Sequence, residues 1–364
     1  MGDNNNKYVI LAINPGSTST KIAIFKDEEN LFQKNVEHSA EELAAFPDIP
    51  DQREYRRDMI IDAIAEAGFT ISGIDAFVGR GGGLDPCEGG TYKAEGLLLE
   101  HARTCHAARH PATLGAVLAD EFAKEGGKPA FIVDPPDIDE LEPVARISGL
   151  KDFPRESRFH ALNQREVARR AAAELGKTYE TSRLVVGHLG GGVSVAAHKN
   201  GRVVDADDIL GGDCPMAPTR AGQLTTLDVA KLCFSGAYDQ KALLDLITKH
   251  GGVVDHLGTS DMQEVSQRAA EGDEYAALVF DALIYQVAKK IGAYAVALKG
   301  EVDAIVVSGG ITYSDTVVSG LRSYLSFIAP LFVYPGEFEM EALANGALRV
   351  LRGEEEAKVY TGRK

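Results

Sequence analysis

A strand–turn–strand pattern that occurs twice constrains the fold more than any other feature of the chain. The first copy, YVILAIN-PGSTST-KIAIF, lies between Tyr8 and Phe25. The second, RLVVGHL-GGG-VSVAAHK, is followed by an Asn-Gly hairpin turn and the strand-like RVVDA, and it lies between Arg183 and Ala206. In each copy a turn large enough to hold a phosphate group separates two apolar, β-branched runs. The repeat predicts that the chain consists of two related halves.

Amphipathic helical patterns alternate with the strands. Within 274–299 the apolar residues recur every four positions, which places them on one face of a helix: Val279, Leu283, Val287 and Ile291. A strand over 303–307 runs into Ser308-Gly309-Gly310, and a second helical pattern covers about 339–351. This alternation predicts an α/β fold. A length of 364 residues is long for one core, so we expect two domains.

The charge balance excludes two classes of partner. The chain has 54 acidic and 38 basic residues, a formal net charge of -16. Such a charge repels phosphate polymers and anionic lipid headgroups, so we expect neither nucleic acid nor a membrane surface as a partner. Any phosphate group must therefore be bound locally.

The four cysteines, Cys87, Cys105, Cys214 and Cys233, are too dispersed for a disulfide framework or a C-x-x-C site. We expect them to be packing residues in a reducing cytoplasm. Neither a secretory signal pattern nor an apolar stretch of membrane-spanning length is found, so a cytoplasmic location is predicted.

Three turns rich in glycine or hydroxyl groups are candidates for ligand binding. NPGSTSTK (14–21) offers hydroxyl donors and a lysine, but a strand-like run follows it, unlike a P-loop. HLGGGVS (188–194) has backbone N–H groups that could cradle an oxyanion beside His188. VVSGGIT (306–312) could hold a base or ribose against its backbone. The alternative for NPGSTSTK is a polar hairpin, and for HLGGGVS it is a histidine with a structural role. For VVSGGIT it is a plain strand-to-helix turn.

Several charged residues lie in apolar or glycine-rich surroundings, some of them where a strand ends: Arg80, Asp134, His160 and Arg220. In α/β proteins the carboxyl ends of strands carry the ligand chemistry. For each residue the alternative is a surface position or an ion pair. The acidic runs DPPDIDELEP and VVDADD do not fit calcium-loop spacing, so we expect most of their acids to be solvated. Residues Asp3–Asn6 and the tail after Gly353 are predicted to be frayed ends.

Taken together and in order, NPGSTSTK, VGRGGG, FIVDPP, SRFHALNQREVARR, HLGGG, PTRAG and VVSGGIT resemble the acetate and butyrate kinase family. The resemblance runs from Tyr8 to about Arg352, and HLGGG and YPGEFEMEALANGALRVL resemble the butyrate branch. It implies two duplicated actin-like (ribonuclease H-like) ATPase domains flanking a nucleotide cleft. The first domain would comprise 1–135 plus about 338–364, and the second, with the nucleotide-binding loops, 136–337.

The resemblance also implies roles for single residues. Asn14, Ser17, Ser19 and Lys21 would form the phosphate loop, with Gly190, Gly191, Gly192, Gly309 and Gly310 as further phosphate- and nucleotide-binding positions. The catalytic set would be Arg80, Asp134, His160, His188 and Arg220. Mg2+ would be held by Asp134 and Glu339, with Glu337 as the alternative. The acid pocket would include Arg80, Gly82 and Phe159, and small glycines after Arg80 would admit a longer acyl chain than acetate.

The implied activity is reversible, Mg-ATP-dependent phosphorylation of a short-chain acid such as butyrate, with ATP or ADP as co-substrate. A branched-chain, acetate or propionate kinase is the nearest alternative. A sugar kinase of the same superfamily would need a carboxylate general base, and a non-catalytic actin-like assembly protein would polymerise with nucleotide. We expect a homo-oligomer, a dimer or larger.

Overall fold

The structure is a computed structural model that describes residues 7–363. It divides into two compact units: the described residues of Met1–Asp139 and Phe338–Lys364 form the first, and Glu140–Glu337 forms the second. The predicted frayed residues Asp3–Asn6 lie outside the described part of the chain. Each unit contains one sheet of mixed strand direction with helices packed on it, which confirms the α/β prediction.

The first unit is built on a six-stranded sheet with the order β3-β2-β1-β4-β6-β5. Strands β1, β4 and β6 are parallel neighbours, whereas β2, β3 and β5 pair in antiparallel fashion. The strands are β1 Val9–Pro15, β2 Ser19–Lys26, β3 Glu29–Glu37, β4 Ala76–Gly79, β5 Thr91–Lys93 and β6 Ala130–Val133. The helices are α1 Ala40–Ala44, α2 Arg53–Glu66, α3 Gly96–Thr104 and α4 Leu114–Gly126.

The second unit is built on a five-stranded sheet with the order β11-β10-β7-β8-β9. Its strands are β7 Arg183–Leu189, β8 Val193–Lys199, β9 Arg202–Ala206, β10 Ala304–Gly309 and β11 Leu331–Pro335. Its helices are α5 Pro143–Arg146, α6 Ala161–Glu174, α7 Thr226–Phe234, α8 Gln240–Lys249, α9 Val253–Leu257, α10 Met262–Ala270, α11 Glu274–Ala297 and α12 Asp315–Leu325. The apolar stripe of α11 faces the core of this unit, as its four-residue spacing predicted.

The two sheets share one topology. In each, the first strand of the repeat lies between its antiparallel hairpin partner and a parallel strand contributed later in the chain: β3-β2-β1-β4-β6 corresponds to β9-β8-β7-β10-β11. The prediction of two related halves is therefore confirmed. The cores are separate as well, because each unit buries its own apolar clusters.

Helix α13, Glu339–Leu351, follows the second unit in the chain but belongs to the first. It packs on β1, β4 and β6. The approach to β6 is close: a Cβ atom at Gly346 would lie 2.4 Å from the Val133 side chain. The chain therefore brings residues about 200 positions apart in sequence onto one sheet.

The tail after Gly353 is not frayed, contrary to the prediction. The backbone of Lys358 pairs with β5, with Lys358 N donating to Thr91 O at 2.8 Å and Lys93 N donating to Lys358 O at 2.9 Å. Tyr360 is buried against Tyr92. Strand β5 is an edge strand whose outer backbone groups need partners, and the tail supplies them.

The acidic runs are also less solvated than predicted. Asp134, Glu140 and Asp207 are all buried. The reason is that the fold supplies donors to them: Glu140 Oε2 accepts from Val203 N at 2.7 Å, and Asp207 accepts from Val195 N at 2.8 Å and Tyr294 Oη at 2.7 Å. Buried carboxylates are tolerated where hydrogen bonds replace water.

The four cysteines are free, but only Cys105 and Cys214 are buried as packing residues. Cys87 is half-buried and Cys233 is exposed, so the packing prediction is wrong for Cys233. Among residues 7–363, no helix is both long enough and apolar enough to cross a membrane.

Candidate active site

In the first unit, three predicted residues form one polar cluster. Arg80 Nη1 donates to Glu339 Oε2 at 3.0 Å and lies 3.4 Å from Asn14 Oδ1, while Asn14 Nδ2 donates to Glu339 Oε2 at 2.7 Å. Asn14 is buried and the other two side chains are half-buried. The cluster holds a guanidinium and an amide in fixed orientations, which suits the binding of an anionic group.

The sheet positions this cluster. Asn14 lies near the end of β1, Arg80 directly follows β4, and Glu339 is the first residue of α13. The Arg80 backbone is fixed by contact with α4: a Cβ at Gly115 would lie 2.3 Å from Arg80 O, and a Cβ at Gly79 would lie 2.0 Å from Gly115 O. Glycine is required at both positions, because any side chain would separate the strand from the helix.

The NPGSTSTK segment forms the β1–β2 turn. Lys21 pairs with Asn14 across the two antiparallel strands, so both side chains point to one face of the sheet. Gly16 N donates to Ser19 O at 2.7 Å and closes the turn, which leaves Ser17 exposed and Ser19 half-buried at its tip. The polar hairpin considered as an alternative is therefore present, and it carries the predicted phosphate-binding side chains.

Asp134 directly follows β6 and has an uncommon backbone conformation for a residue with a side chain, with φ of 40°. It is held there by Gly90, whose N–H donates to Asp134 Oδ1 at 2.8 Å and whose carbonyl accepts from Asp134 N at 3.0 Å. A left-handed conformation costs energy and is retained where the surrounding structure imposes it, often at functional sites.

The two candidate glutamates, Glu339 and Glu337, have different surroundings. Glu339 belongs to the first unit, where its Oε2 accepts from both Asn14 Nδ2 and Arg80 Nη1. Its Oε1 accepts none within residues 7–363 and remains available to a metal ion or to a water of its hydration shell. Glu337 belongs to the second unit and is exposed. Oxygen donors of this kind fit Mg2+, which binds through one or two carboxylates together with waters and substrate phosphates.

In the second unit, His160, His188 and Arg220 meet over the glycine turn between β7 and β8. The two imidazole rings have centroids 4.2 Å apart. A Cβ atom at Gly192 would lie 2.2 Å from Arg220 Nη1 and 3.2 Å from His160 Cε1, and one at Gly190 would lie 2.9 Å from His188 Nε2. The three side chains thus rest directly on the turn, and glycine is needed to make room for them.

The Arg220 guanidinium provides the most informative single atom of the site. Its Nη1 is buried and has no hydrogen-bond acceptor within the described chain. A buried charged donor without an acceptor is costly, and such atoms in native proteins commonly mark a missing ligand or water. An oxygen of an anionic substrate would satisfy it.

The glycine turn does less backbone cradling than the sequence suggested. Gly190 N already donates to Gly192 O at 3.0 Å, so this N–H is used within the turn. Gly191 is exposed, and a Cβ atom there would meet no heavy atom of the described residues within 4 Å. Binding of a phosphate by Gly190, Gly191 and Gly192 stays a prediction.

The sequence analysis missed a buried chain of hydrogen bonds that ends on His160. Gln164 Nε2 donates to the carbonyl Ser194 O at 3.1 Å, and since a carbonyl only accepts, this contact fixes the orientation of the Gln164 amide. Gln164 Nε2 also donates to Ser194 Oγ at 2.9 Å, and His160 N lies 3.3 Å from the same oxygen. The Ser194 hydroxyl must therefore donate its own hydrogen to His160 Nδ1, 2.7 Å away.

At the other end of this chain of hydrogen bonds, each donor also points toward His160. Gln164 Oε1 accepts from His198 Nε2 at 3.2 Å, so His198 Nδ1 accepts from Tyr179 Oη at 2.9 Å. Burial, assisted by the nearby Arg165 and Arg169 charges, lowers the pKa of His198 well below its ordinary value, so this ring stays neutral. We call Tyr179, His198, Gln164 and Ser194 the His160 relay. Because Nδ1 of His160 accepts a hydrogen bond, the ring hydrogen lies on Nε2, and His160 is a neutral donor there.

The remaining predicted residues have structural contacts of their own. Gly309 has φ of 96°, and a Cβ there would lie 2.2 Å from Leu189 O, so it joins the ends of β7 and β10; Gly310 is exposed. Phe159 is buried edge-on against His198. A Cβ at Gly82 would lie 3.5 Å from Ala112 Cβ and 3.7 Å from Pro136 Cγ, which is ordinary contact distance.

Known proteins match this chain over nearly its full length. The sequence model of the acetokinase family matches residues 152–327. Butyrate kinase 1 of Clostridium acetobutylicum is 48% identical over 97% of this chain and 99% of its own length. The chain belongs to the acetokinase family. A probable butyrate kinase of Clostridium botulinum is 46% identical over 97% of this chain and 99% of its own length.

Solved acetokinase-family structures share the fold. The Porphyromonas gingivalis acetate kinase superimposes with a TM-score of 0.77 at 21% identity and covers 94% of this chain and 100% of its own. A propionate kinase from Francisella tularensis superimposes with a TM-score of 0.72 at 19% identity, covering 93% of this chain and 98% of its own. With the repeated sheet topology, these neighbours confirm the prediction of two duplicated actin-like domains.

Proposed function

We propose that this chain is a butyrate kinase, which transfers the terminal phosphoryl group of ATP to the carboxylate of butyrate and runs in both directions. The relatives named above support the substrate. The observation that carries the chemistry is the buried Arg220 Nη1, which lacks an acceptor within the described residues and lies beside two histidines over a glycine turn. This arrangement offers converging donors to a small anion.

The reaction requires charge neutralisation more than proton transfer. A carboxylic acid is ionised at neutral pH, so it is a nucleophile without a general base. Two anions must be brought together, and the charge that spreads over the migrating phosphoryl group must be stabilised. A neutral His160 with its hydrogen on Nε2 suits this task, because it donates a hydrogen bond without taking a proton from the substrate.

We assign roles on this basis. Arg220, His160 and His188 stabilise the phosphoryl group, and Arg80 with Asn14 binds an anionic group of the substrates. Ser17, Ser19 and Lys21 bind phosphate. Glu339, through Oε1, and Asp134 hold Mg2+, directly or through water. When bound, Mg2+ neutralises charge on the phosphate oxygens.

The proposal is tested by trapping acyl phosphate with hydroxylamine over straight and branched acids of two to five carbons, with Mg-ATP. We expect the highest kcat/KM with butyrate. Arg220→Ala should lower kcat on the order of a thousandfold, whereas Arg322→Ala, an exposed arginine in α12, should not change it. Near-normal turnover of Arg220→Ala would contradict the assigned role. Preference for isobutyrate or isovalerate would identify a branched-chain acid kinase, and phosphorylation of sugars alone would refute acid kinase activity.

Acid length is tested at Gly82. An alanine there fits at contact distance from Ala112 and Pro136, so Gly82→Ala adds one methyl group without moving the backbone. If the acyl chain lies against this position, the variant should shift preference toward acetate by about one to three kcal/mol, that is, roughly tenfold or more in relative kcat/KM. An unchanged preference would place the acyl chain elsewhere.

A further inference from the structure

A group of potential metal ligands lies where helix α3 ends, apart from the residues assigned to phosphoryl transfer. Asp85, His101 and His106 each offer one ligand atom, and these atoms lie within 4.8 Å of one another. We call these three residues the α3 cluster. Asp85 and His101 are half-buried and His106 is exposed, so an ion could reach the cluster from solvent.

The ligand atoms have separations suited to a shared ion. His106 Nε2 lies 3.2 Å from Asp85 Oδ1, and His101 Nδ1 lies 4.0 Å from Asp85 Oδ2. The two imidazole rings are stacked, with centroids 3.8 Å apart and planes inclined by 15°, so their nitrogens reach the carboxylate side by side. Ligands bound to one tetrahedral ion at about 2.0–2.2 Å are themselves roughly 3.3 Å apart. Small side-chain rotations would bring the ligand atoms of the α3 cluster from their observed separations to this distance.

The hydrogen bonds of Tyr360 indicate which nitrogen of His101 is free of a proton. Tyr360 Oη accepts from Asp85 N at 2.8 Å and lies 3.1 Å from His101 Nδ1, so the phenol hydrogen is free to donate to Nδ1. In this arrangement the Nδ1 lone pair accepts the phenol hydrogen, and the ring hydrogen of His101 lies on Nε2. Neutral imidazole is the form that binds metals, and an ion would take the place of the phenol hydrogen at Nδ1, 4.0 Å from Asp85 Oδ2.

We propose that the α3 cluster binds one divalent transition-metal ion, with Zn2+ as the best match, through Asp85, His101 and His106. Two imidazole nitrogens and one carboxylate select zinc, cobalt or nickel over the hard ions magnesium and calcium, which take oxygen ligands. Arg363 N donates to Asp85 Oδ2 at 3.2 Å and orients the carboxylate. Water completes the coordination. The ion joins His101 of α3 to Asp85 and His106 and is separate from the magnesium of the proposed reaction.

The test uses the full-length, untagged chain after dialysis against EDTA. Titration with Co2+ should give the intense visible absorption of a tetrahedral complex, saturating at one ion per chain and displaced by Zn2+. Zn2+ should raise the Tm of the wild-type chain. His106→Ala and Asp85→Asn should each weaken binding at least about tenfold, whereas His250→Ala, an exposed histidine in the second unit, should not.

Absence of stoichiometric binding to the wild-type chain would overturn the proposal, and so would unchanged binding to His106→Ala and Asp85→Asn together. Melting of each variant in EDTA shows whether it folds. If a variant fails to fold, X-ray absorption of the wild-type zinc complex decides: two imidazole ligands support the α3 cluster, and a sulfur ligand from a cysteine refutes it.

Discussion

At the scale of single residues, the direction of the His160 relay determines what His160 can do. The carbonyl of Ser194 fixes the Gln164 amide, and every later donor and acceptor follows from it. His160 is thereby kept with its hydrogen on Nε2, and protonation of Nδ1 would face the hydrogen of the Ser194 hydroxyl. We therefore expect His160 to act as a hydrogen-bond donor through Nε2.

Ser194→Ala removes the hydroxyl donor to His160 Nδ1 without adding bulk. The ring can then change tautomer and take up a proton, so we expect kcat to fall about tenfold and to acquire a new dependence on pH near about 6.5. Steady-state kcat from about pH 5.5 to 8.5 measures this. Ser182→Ala is the matched control, since its buried hydroxyl donates to Thr178 O at 2.6 Å, outside the relay. Parallel profiles of Ser194→Ala and wild type would contradict the relay.

Asp137 should make the stability of the chain depend on pH. Burial, opposed in part by hydrogen bonds from the Leu84 and Gly83 N–H groups, raises its pKa to about 7. Its contribution to stability is therefore complete below pH 3.8, the ordinary value, and is lost as the pH rises through 7. Asp137→Asn lacks this loss. The difference in unfolding free energy between this variant and wild type, measured by urea unfolding, should therefore shift in favour of the variant as the pH rises from 5 to 8. The expected shift is up to roughly a few kcal/mol. A constant difference would contradict the shift.

Sequence reasoning could name single residues only where a motif carried them. Asn14, Arg80, His160, His188 and Arg220 were found in this way, and the structure groups the first two with Glu339 and the last three around the glycine turn. Of the relay residues, Gln164 lies in SRFHALNQREVARR and Ser194 in HLGGGVS, whereas Tyr179 and His198 lie outside these motifs. Gln164 and Ser194 are 30 positions apart, and no spacing rule predicts a contact between them.

At the scale of elements, the helix–strand contact at Gly79 and Gly115 fixes the backbone of Arg80. Strand boundaries were predictable here because β-branched runs end at glycine or proline. The need for glycine on both sides of the contact was not, because it depends on the distance between β4 and α4.

Gly115→Ala should therefore separate α4 from β4 and displace Arg80. We expect a loss of stability of about 3 kcal/mol or more and a higher KM for one of the substrates. Gly292→Ala, within α11, is the control: its Cβ meets no atom of the described residues within 4 Å, and alanine should stabilise that helix by about 1 kcal/mol. Thermal melts and kinetics of both variants measure the effects. Equal stability of the two would show that the contact is looser than described.

At the scale of the whole molecule, two units with separate cores make up the chain. The length and the repeated strands predicted two halves, and the resemblance supplied the return of the last helix. The sequence did not predict the docking of the tail on β5. The residues after Gly353 are mostly polar or charged, which is typical of solvated ends, and the sequence does not show that β5 is an edge strand whose backbone groups they pair with. The domain boundaries that the resemblance implies for this chain, after residues 135 and 337, stay predictions. The homo-oligomer also stays a prediction.

Tyr360→Ala tests whether the tail stabilises the first unit in particular. Loss of the buried ring should cost about 3 kcal/mol. If the units unfold as separate steps, calorimetry should show one transition moving to lower temperature while the other stays in place. Val359→Ala, an exposed neighbour, should leave both unchanged. A uniform shift of all transitions would mean that the units unfold together.

The return of α13 has a consequence for biosynthesis. Domains usually fold in the order in which the ribosome makes them. Here the second unit is contiguous and can fold first, whereas the first-made unit must wait for Glu339–Leu351 to be synthesised. Until then its β1, β4 and β6 lack their covering helix, and Arg80 and Asn14 lack their glutamate. A nascent chain therefore carries an uncovered sheet through most of translation, which exposes the apolar surface of this unit to aggregation for longer than that of the second unit.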